Sequence, residues 1–383
     1  RAAEAVALAE RAEALRVAGG DDSVEARGDS LNHLGVAYTA AGDFDRARAV
    51  LAESLALRRT RADAEPLDIL VGLNNLARAE RGAGRLDAAE ALYAEVVREA
   101  EAIGPRADPS RQTALDFMAR VRSDRGDRLG ALPLLQESLT LAKRLYGDRS
   151  SRTATAHNEL ANVLHDLGRL DEAEVHYRQS LAVEGEVRGE SALPYAVSLN
   201  NLASLLEDRA RFREATALSQ RSLAIREANL PADNPMVLRS RGNLARLLLR
   251  DGRIDEAGRL LGPVLALVRD TKPDADPERV RFELLHAQWL IAARRLPEAD
   301  AALSALVIPD DPGRARDRLA RERVRIELAT AHGRHAEALA LADALDAELA
   351  AAGAAPLERV RNDAVRERLR AALAAAAGPA SRN

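Results

Sequence analysis

Cysteine is absent from this 383-residue chain, which removes disulfide frameworks, thiol nucleophiles, cysteine-zinc sites and iron–sulfur clusters. Lysine is nearly absent: of 56 basic residues only Lys143 and Lys272 are lysines, a bias that reads as GC-rich, bacterial coding. Aromatic residues make up 3% of the chain against 47% hydrophobic, a balance that favours helices packed through Ala and Leu over aromatic-rich β-sandwiches. Positive charge is not in excess. The formal net charge of -4 argues against a nucleic-acid or anionic-membrane surface. No apolar run approaches the ~18 residues of a membrane-spanning helix, and the Ala-rich run at 371–377 is far too short, so no membrane insertion is expected. Position 1 is Arg and the methionines are Met118 and Met236, so the native start is expected upstream; a cytoplasmic location is the working expectation.

What the chain has is a repeat. GDFDRA from Gly42, GRLDAA from Gly84, GDRLGA from Gly126, GRLDEA from Gly168, ARFREA from Ala210, GRIDEA from Gly252 and RRLPEA from Arg294 stand 42 residues apart throughout. Five residues past each start the register holds Ala47, Ala89, Ala131, Ala173, Ala215, Ala257 and Ala299. A second small column precedes the turn: Gly35, Ala77, Ala119, Ala161, Ala203, Ala245 and Ala287. Two small columns flanking a turn are what antiparallel helices need for close approach, since a larger side chain overpacks at a cost of ~1–3 kcal/mol. Large apolar columns surround them: Leu34, Leu76, Met118, Leu160, Leu202 and Leu244 in one, Leu55, Val97, Leu139, Leu181, Leu223, Leu265 and Val307 in the other. Their spacings of three, four and seven are helical. Each unit therefore reads as helix A, tight turn, helix B, loop, with loops such as PADNP from Pro231 and PDADP from Pro273.

Helix A is expected to end with the turn residue in the left-handed conformation. Asp45, Asp87, Asp171 and Asp255 are expected to cap helix B, with Glu90 and Glu174 completing capping boxes. Pro263, inside a helix B, predicts a kink.

LNNLASLLEDRARFREA from Leu199 and HNELANVLHDLGRLDEA from His157 resemble the tetratricopeptide repeats, in the 42-residue variety of kinesin light chain. The resemblance implies an all-α, right-handed superhelical solenoid. Seven units over 28–308 form it, preceded at 1–18 by helix B of a truncated repeat and followed by a degenerate repeat at 309–352 and a capping helix and tail at 353–383. The capping helix is expected to run from Leu357 through Val360, Ala364, Val365, Leu369 and Leu373 to Gly378.

No catalytic motif is present: neither lysine follows a glycine as a P-loop requires, and HExxH, GxSxG and the kinase catalytic loop are missing. His157, His165 and His176 lie in one unit, and His332 and His335 are three apart, yet no well-spaced carboxylate completes a metal set. No metal, no cofactor and no enzymatic activity of this chain are expected.

In the family it resembles, helices A line a concave groove and the residue three before the small column faces into it. That column here reads Asn32, Asn74, Asp116, Asn158 and Asn200, then lapses to Gly242 and Leu284. Asn costs some tenths of a kcal/mol in a helix interior, so its recurrence needs a reason. One reading is that each amide serves the backbone of an extended peptide, and the other is that it holds neighbouring repeats together. Asn162, His165 and Ser204 join the same face. Along it the charge changes sign: Arg78, Arg81 and Arg120 are basic, Asp166, Glu207 and Asp208 acidic, and Arg239, Arg246, Arg250 and Arg281 basic again. Such alternation would select a partner segment by register; the alternative is a solvated face laced with salt bridges.

The expected function is a non-catalytic protein-interaction scaffold that binds a peptide or partner segment. Two alternatives stay open. One is a regulatory or substrate-recruiting arm of a larger bacterial signalling enzyme, since similar arrays follow serine/threonine kinases, nucleotide-binding switch domains or caspase-like proteases. The other is self-association as a homo-oligomer.

Overall fold

In the computed structural model residues 2–20, 23–351 and 356–376 are described, and among them the chain is helical without a strand. Helix α1 (Ala2–Ala18) is followed by the hairpins α2 (Val24–Ala41) with α3 (Phe44–Thr60), α4 (Pro66–Gly82) with α5 (Leu86–Ile103), and α6 (Asp108–Asp124) with α7 (Arg128–Tyr146). Then come α8 (Ser151–Asp166) and α9 (Leu170–Arg188), α10 (Leu193–Asp208) and α11 (Phe212–Asn229), and α12 (Pro235–Arg250) and α13 (Ile254–Thr271). The chain continues through α14 (Pro277–Ala292) and α15 (Leu296–Ser304), α16 (Ala315–Ala331) and α17 (His335–Ala351), to α18 (Pro356–Ala376). It divides into two units, residues 1–163 and 164–383, with the boundary inside α8. In the first, Leu51, Leu70, Leu73, Tyr93 and Leu115 are fully buried; in the second, Leu199, Leu202, Leu205 and Phe282 are.

The alanine column explains the stacking. Ala47, Ala89, Ala131, Ala173, Ala215, Ala257 and Ala299 are each 0% exposed, so no larger side chain has room there. In the second small column a Cβ on Gly35 would stand 2.3 Å from Leu51 Cγ.

The turns are alike in backbone whatever their residue. Gly42, Gly84, Gly126, Gly168, Gly252 and Gly333 all have φ between 76° and 86°. Ala210 (φ 54°) and Arg294 (φ 61°) take the same left-handed conformation without being glycine. After each, the next N–H reaches back five residues, as Arg85 does to Glu80 (2.9 Å) and Arg211 to Leu206 (2.8 Å). This is the Schellman closure, and it makes the hairpin one repeated part.

Several expectations change. Helix B begins one residue before the aspartates expected to cap it, so Asp45, Asp87, Asp171 and Asp255 lie second in their helices and form no capping boxes. Side-chain caps come instead from Asp43 and Asp127, which accept from the Arg46 and Gly130 amides. The displaced acids pair with arginines of the following repeat: Asp45 with Arg85 at 3.1 Å, Asp171 with Arg209 at 2.7 Å, and Asp87 with Arg125. Glu174, once a box member, meets Arg178, Arg209 and Arg211 at 2.7, 2.8 and 2.9 Å.

Helix α13 runs unbroken through Pro263. In the seventh repeat α15 has only nine residues, and Val307, expected in an apolar column, is 50% exposed beyond its end. The chain turns early toward Pro309, and the next turn residue, Gly333, comes 39 residues after Arg294 rather than 42.

At the end, α18 packs on α17 through Val365 and Leu369. Asn362 is buried between them and donates to the Ala342 carbonyl at 3.0 Å. Val360, expected on the covering face, is exposed; Gly378 and the tail lie outside the described residues. The two lysines stand at the C-terminal ends of α7 and α13, with Lys143 3.4 Å from Asp148 and Lys272 3.7 Å from Glu278.

Candidate functional site

In the first unit, the Asn column places Asn32 on α2, Asn74 on α4, Asp116 on α6 and Asn158 on α8. Asn32 is buried, and its Oδ1 accepts from Asn75 Nδ2 of the next repeat at 2.9 Å. This amide is engaged in stacking. Asn74 differs: its Oδ1 is buried without a partner among the described residues. Asp116 accepts from Gln112 Nε2 at 2.6 Å and from Ser138 Oγ. Burial pushes its carboxyl up to about 6, with Glu159 adding to the rise and the bonds from Ser138 and Gln112 opposing it. Asn158 and Asn162 are half-buried and both are engaged.

Further along the same helices, Arg81 donates to Asp124 at 3.0 Å, and Arg120 donates to Glu159 at 2.7 Å while lying 5.3 Å over the Phe117 ring. Phe117 in turn stacks on Tyr93 at 5.7 Å between ring centroids. Arg78, half-buried on α4, has no carboxylate partner among the described residues, and its Nε is buried without an acceptor. The phenolic oxygen of fully buried Tyr93 has no hydrogen-bond partner either. Burial pushes that phenol far above its ordinary range, against the pull of Arg81, Arg78 and Arg120. Tyr93 belongs to α5, a helix B, and so lies outside the helix A columns that the sequence displays.

The second unit repeats the amide contact: Asn243 Nδ2 donates to Asn200 Oδ1 at 2.9 Å. Glu207 takes Arg246 of the next repeat, while Ser204 is half-buried. His165 Nε2 lies 2.7 Å from Asp208 Oδ2, with its ring edge toward Tyr177 at 6.3 Å. Arg239 and Arg250 are exposed. Arg281 lies 5.2 Å over Phe282, whose ring explains why the Asn column lapses: a Cβ at Gly242 would already approach it to 3.0 Å. Leu284 is simply core.

Two separations recur. Asn75 with Asn32, Arg81 with Asp124, His165 with Asp208 and Asn243 with Asn200 are 43 residues apart. Arg120 with Glu159, Arg246 with Glu207 and Gln288 with Glu327 are 39 apart. Much of the alternating charge expected to select a partner is therefore answered by the neighbouring repeat. Charge complementarity is used along the stack, and Arg78 is the half-buried exception. Among the described residues no three metal-ligating side chains gather, and no helix is long and apolar enough to cross a membrane.

Fold and face together define a class: helix hairpins joined by left-handed turns, stacked through small residues and cross-linked by a polar lattice. Family models described as Tetratricopeptide repeat match residues 27–62, 70–103, 110–186 and 194–270, more than half of the chain, and the protein belongs to the tetratricopeptide-repeat family. No curated protein matches it. Among solved structures it is similar to kinesin light chain TPR-like repeats of Podosopora anserina, with 24% identity over 52% of this chain and 94% of that one and a TM-score of 0.47. It is also similar to the apo form of RapI, with 10% identity over 97% and 96% and a TM-score of 0.58. A Rap protein in complex with Competence and Sporulation Factor shows 12% identity over 91% and 99%, at a TM-score of 0.55. The likeness to the Rap structures is one of fold.

Proposed function

We propose that the chain is a non-catalytic protein-interaction scaffold whose helices A receive an extended peptide, in the first unit at Asn74, Arg78, Asp116, Arg120, Asn158 and Asn162, and in the second at Asn200, Ser204 and Arg250. One observation carries this reading: Asn74 Oδ1 and Arg78 Nε, one turn apart on α4, are buried and unpaired. Leaving such groups unsatisfied costs ~1–3 kcal/mol each, and a peptide supplies the missing partners once these two half-buried side chains turn toward it. The Rap protein solved with Competence and Sporulation Factor supports the reading, because the same fold there holds a bound factor.

The test begins with peptides selected on the wild-type chain from a random library, with affinities read by fluorescence polarisation. Asn74→Ala with Arg78→Ala should weaken binding about tenfold or more, equivalent to ~1.4 kcal/mol. The pair Asn158→Ala and Asn200→Ala should weaken it too, with helicity nearly unchanged. Unaltered affinity in both pairs would overturn the assignment.

A further inference from the structure

Asp208 closes α10 on the acidic stretch of the second unit, and the chain's own distant end has found it. Arg361 of α18 donates through Nη2 to Asp208 Oδ2, across 153 residues of sequence. The same oxygen faces His165 Nε2 at 2.7 Å. The Asp208 and His165 side chains are 12% and 11% exposed, whereas that of Arg361 is 48% exposed. The carboxylate is thus sheltered and fixed from one side by an imidazole, and open on the other to a group arriving from solvent.

The His165–Asp208 contact, at 43 residues, belongs to the stacking lattice, whereas Arg361 comes from outside it to reach Asp208. Glu207 beside it is matched by Arg246 of the next repeat. Asp208 receives no such arginine from the next repeat: Arg250, 42 residues on, is exposed. Nor does α18 depend on Asp208 for its seat. Asn362 bonds to the Ala342 carbonyl, Arg366 to Asp343 at 2.6 Å, and Leu369 is buried against α17. Arg361 therefore occupies the site as a ligand does, through its guanidinium. Burial works to raise the Asp208 pKa, yet the bonds from His165 and Arg361 hold it below the ordinary carboxylate range, so Asp208 is a carboxylate at neutral pH.

We propose that Asp208 and His165 form a guanidinium-binding site, held in the free protein by Arg361 and taken over by an arginine side chain of a partner protein. Arg361 is then a competitor in cis, and its displacement accompanies partner binding. A planar fork fits a carboxylate better than an ammonium does, so arginine is favoured over lysine. The inference goes beyond the peptide face proposed above and shares neither Asn74 nor Arg78 with it.

The test uses the full chain, with N-acetyl-arginine methylamide as probe and its citrulline counterpart as control. The His165 ring protons are followed by NMR and assigned by their loss in His165→Gln. In Arg361→Ala the arginine probe should produce a saturable His165 shift, with an apparent Kd at least about five-fold below that of the wild-type chain, where Arg361 competes. The citrulline probe should produce none, and Asp208→Asn added to Arg361→Ala should abolish the response. Equal responses in wild type and Arg361→Ala overturn the proposal, as does binding retained without the Asp208 charge. A bridge that only stabilises would lower the melting temperature of Arg361→Ala and leave His165 silent to the probe, which also overturns it. Arg361→Lys, which preserves charge and helix, should compete less well than Arg361 and provides a second, folded variant.

Discussion

Asn243 donates its side-chain amide to Asn200 Oδ1 at 2.9 Å, and Asn75 meets Asn32 at the same 2.9 Å in the other unit. Each bond spans neighbouring repeats, so the Oδ1 atoms of Asn200 and Asn32 serve the stack. Asn200→Ala should cost ~1 kcal/mol, and a double-mutant cycle with Asn243→Ala should return a coupling of ~0.5–1 kcal/mol by urea denaturation. Asn74→Ala, which breaks no bond to a neighbour, should shift the midpoint far less. An equal loss at both positions would sink this division of labour.

The left-handed turns predict opposite effects for opposite substitutions. Ala210 and Arg294 hold φ of 54° and 61°, where a Cβ is disfavoured by ~1–2 kcal/mol. Ala210→Gly and Arg294→Gly should each stabilise by ~0.5–1 kcal/mol, after the extra chain entropy of glycine is deducted, and Gly168→Ala should destabilise by ~1 kcal/mol. Chemical denaturation of the three variants decides it; a destabilised Ala210→Gly is the contrary result.

Gly35 reverses what its column suggests. All six other members are fully or almost fully buried alanines, and helix propensity alone favours Gly35→Ala. The new Cβ would stand 2.3 Å from Leu51 Cγ, so the variant should lose ~1–3 kcal/mol, read as a lowered melting temperature. A rise in melting temperature would show that Leu51 yields freely.

Asp116 stands where Asn74 and Asn158 stand in adjacent repeats. Its folded pKa, pushed up to about 6, lies above the ~3.9 of an unfolded aspartate. A raised carboxyl stabilises the fold most below the unfolded value, and that contribution is lost as pH climbs through the folded one. Asp116→Asn should therefore gain ~1–2 kcal/mol over wild type at pH 8, with the advantage fading between pH 6 and pH 4. Urea midpoints across that range check it; a gain independent of pH would contradict the titration of this group.

What the sequence made legible was what repeats in one register. Ala173 and its six counterparts announce close helix contacts, and Gly168 announces the turn, because both are demands of local backbone geometry that a column exposes. The N-caps misread because aspartate suits both a cap and the second helical position; only the Schellman closure, which starts helix B at Leu86 or Leu170, separates the two. The contacts of the helix A face were less visible. Arg81 with Asp124 and Arg120 with Glu159 are defined between repeats, at separations of 43 and 39, and a column read within one unit shows charge without its answer. Tyr93 and Arg361 lay further out of reach, the first on the other helix of its hairpin and the second 153 residues from its partner.

The scarcity of lysine has an experimental consequence. Lys143 lies in the first unit and Lys272 in the second, both at helix ends with side chains 42% and 37% exposed. Reagents directed at side-chain amines thus find one target in each unit without any engineering of the chain. A dye pair introduced this way turns the separation of the two units into a spectroscopic distance, readable before and after a partner is added.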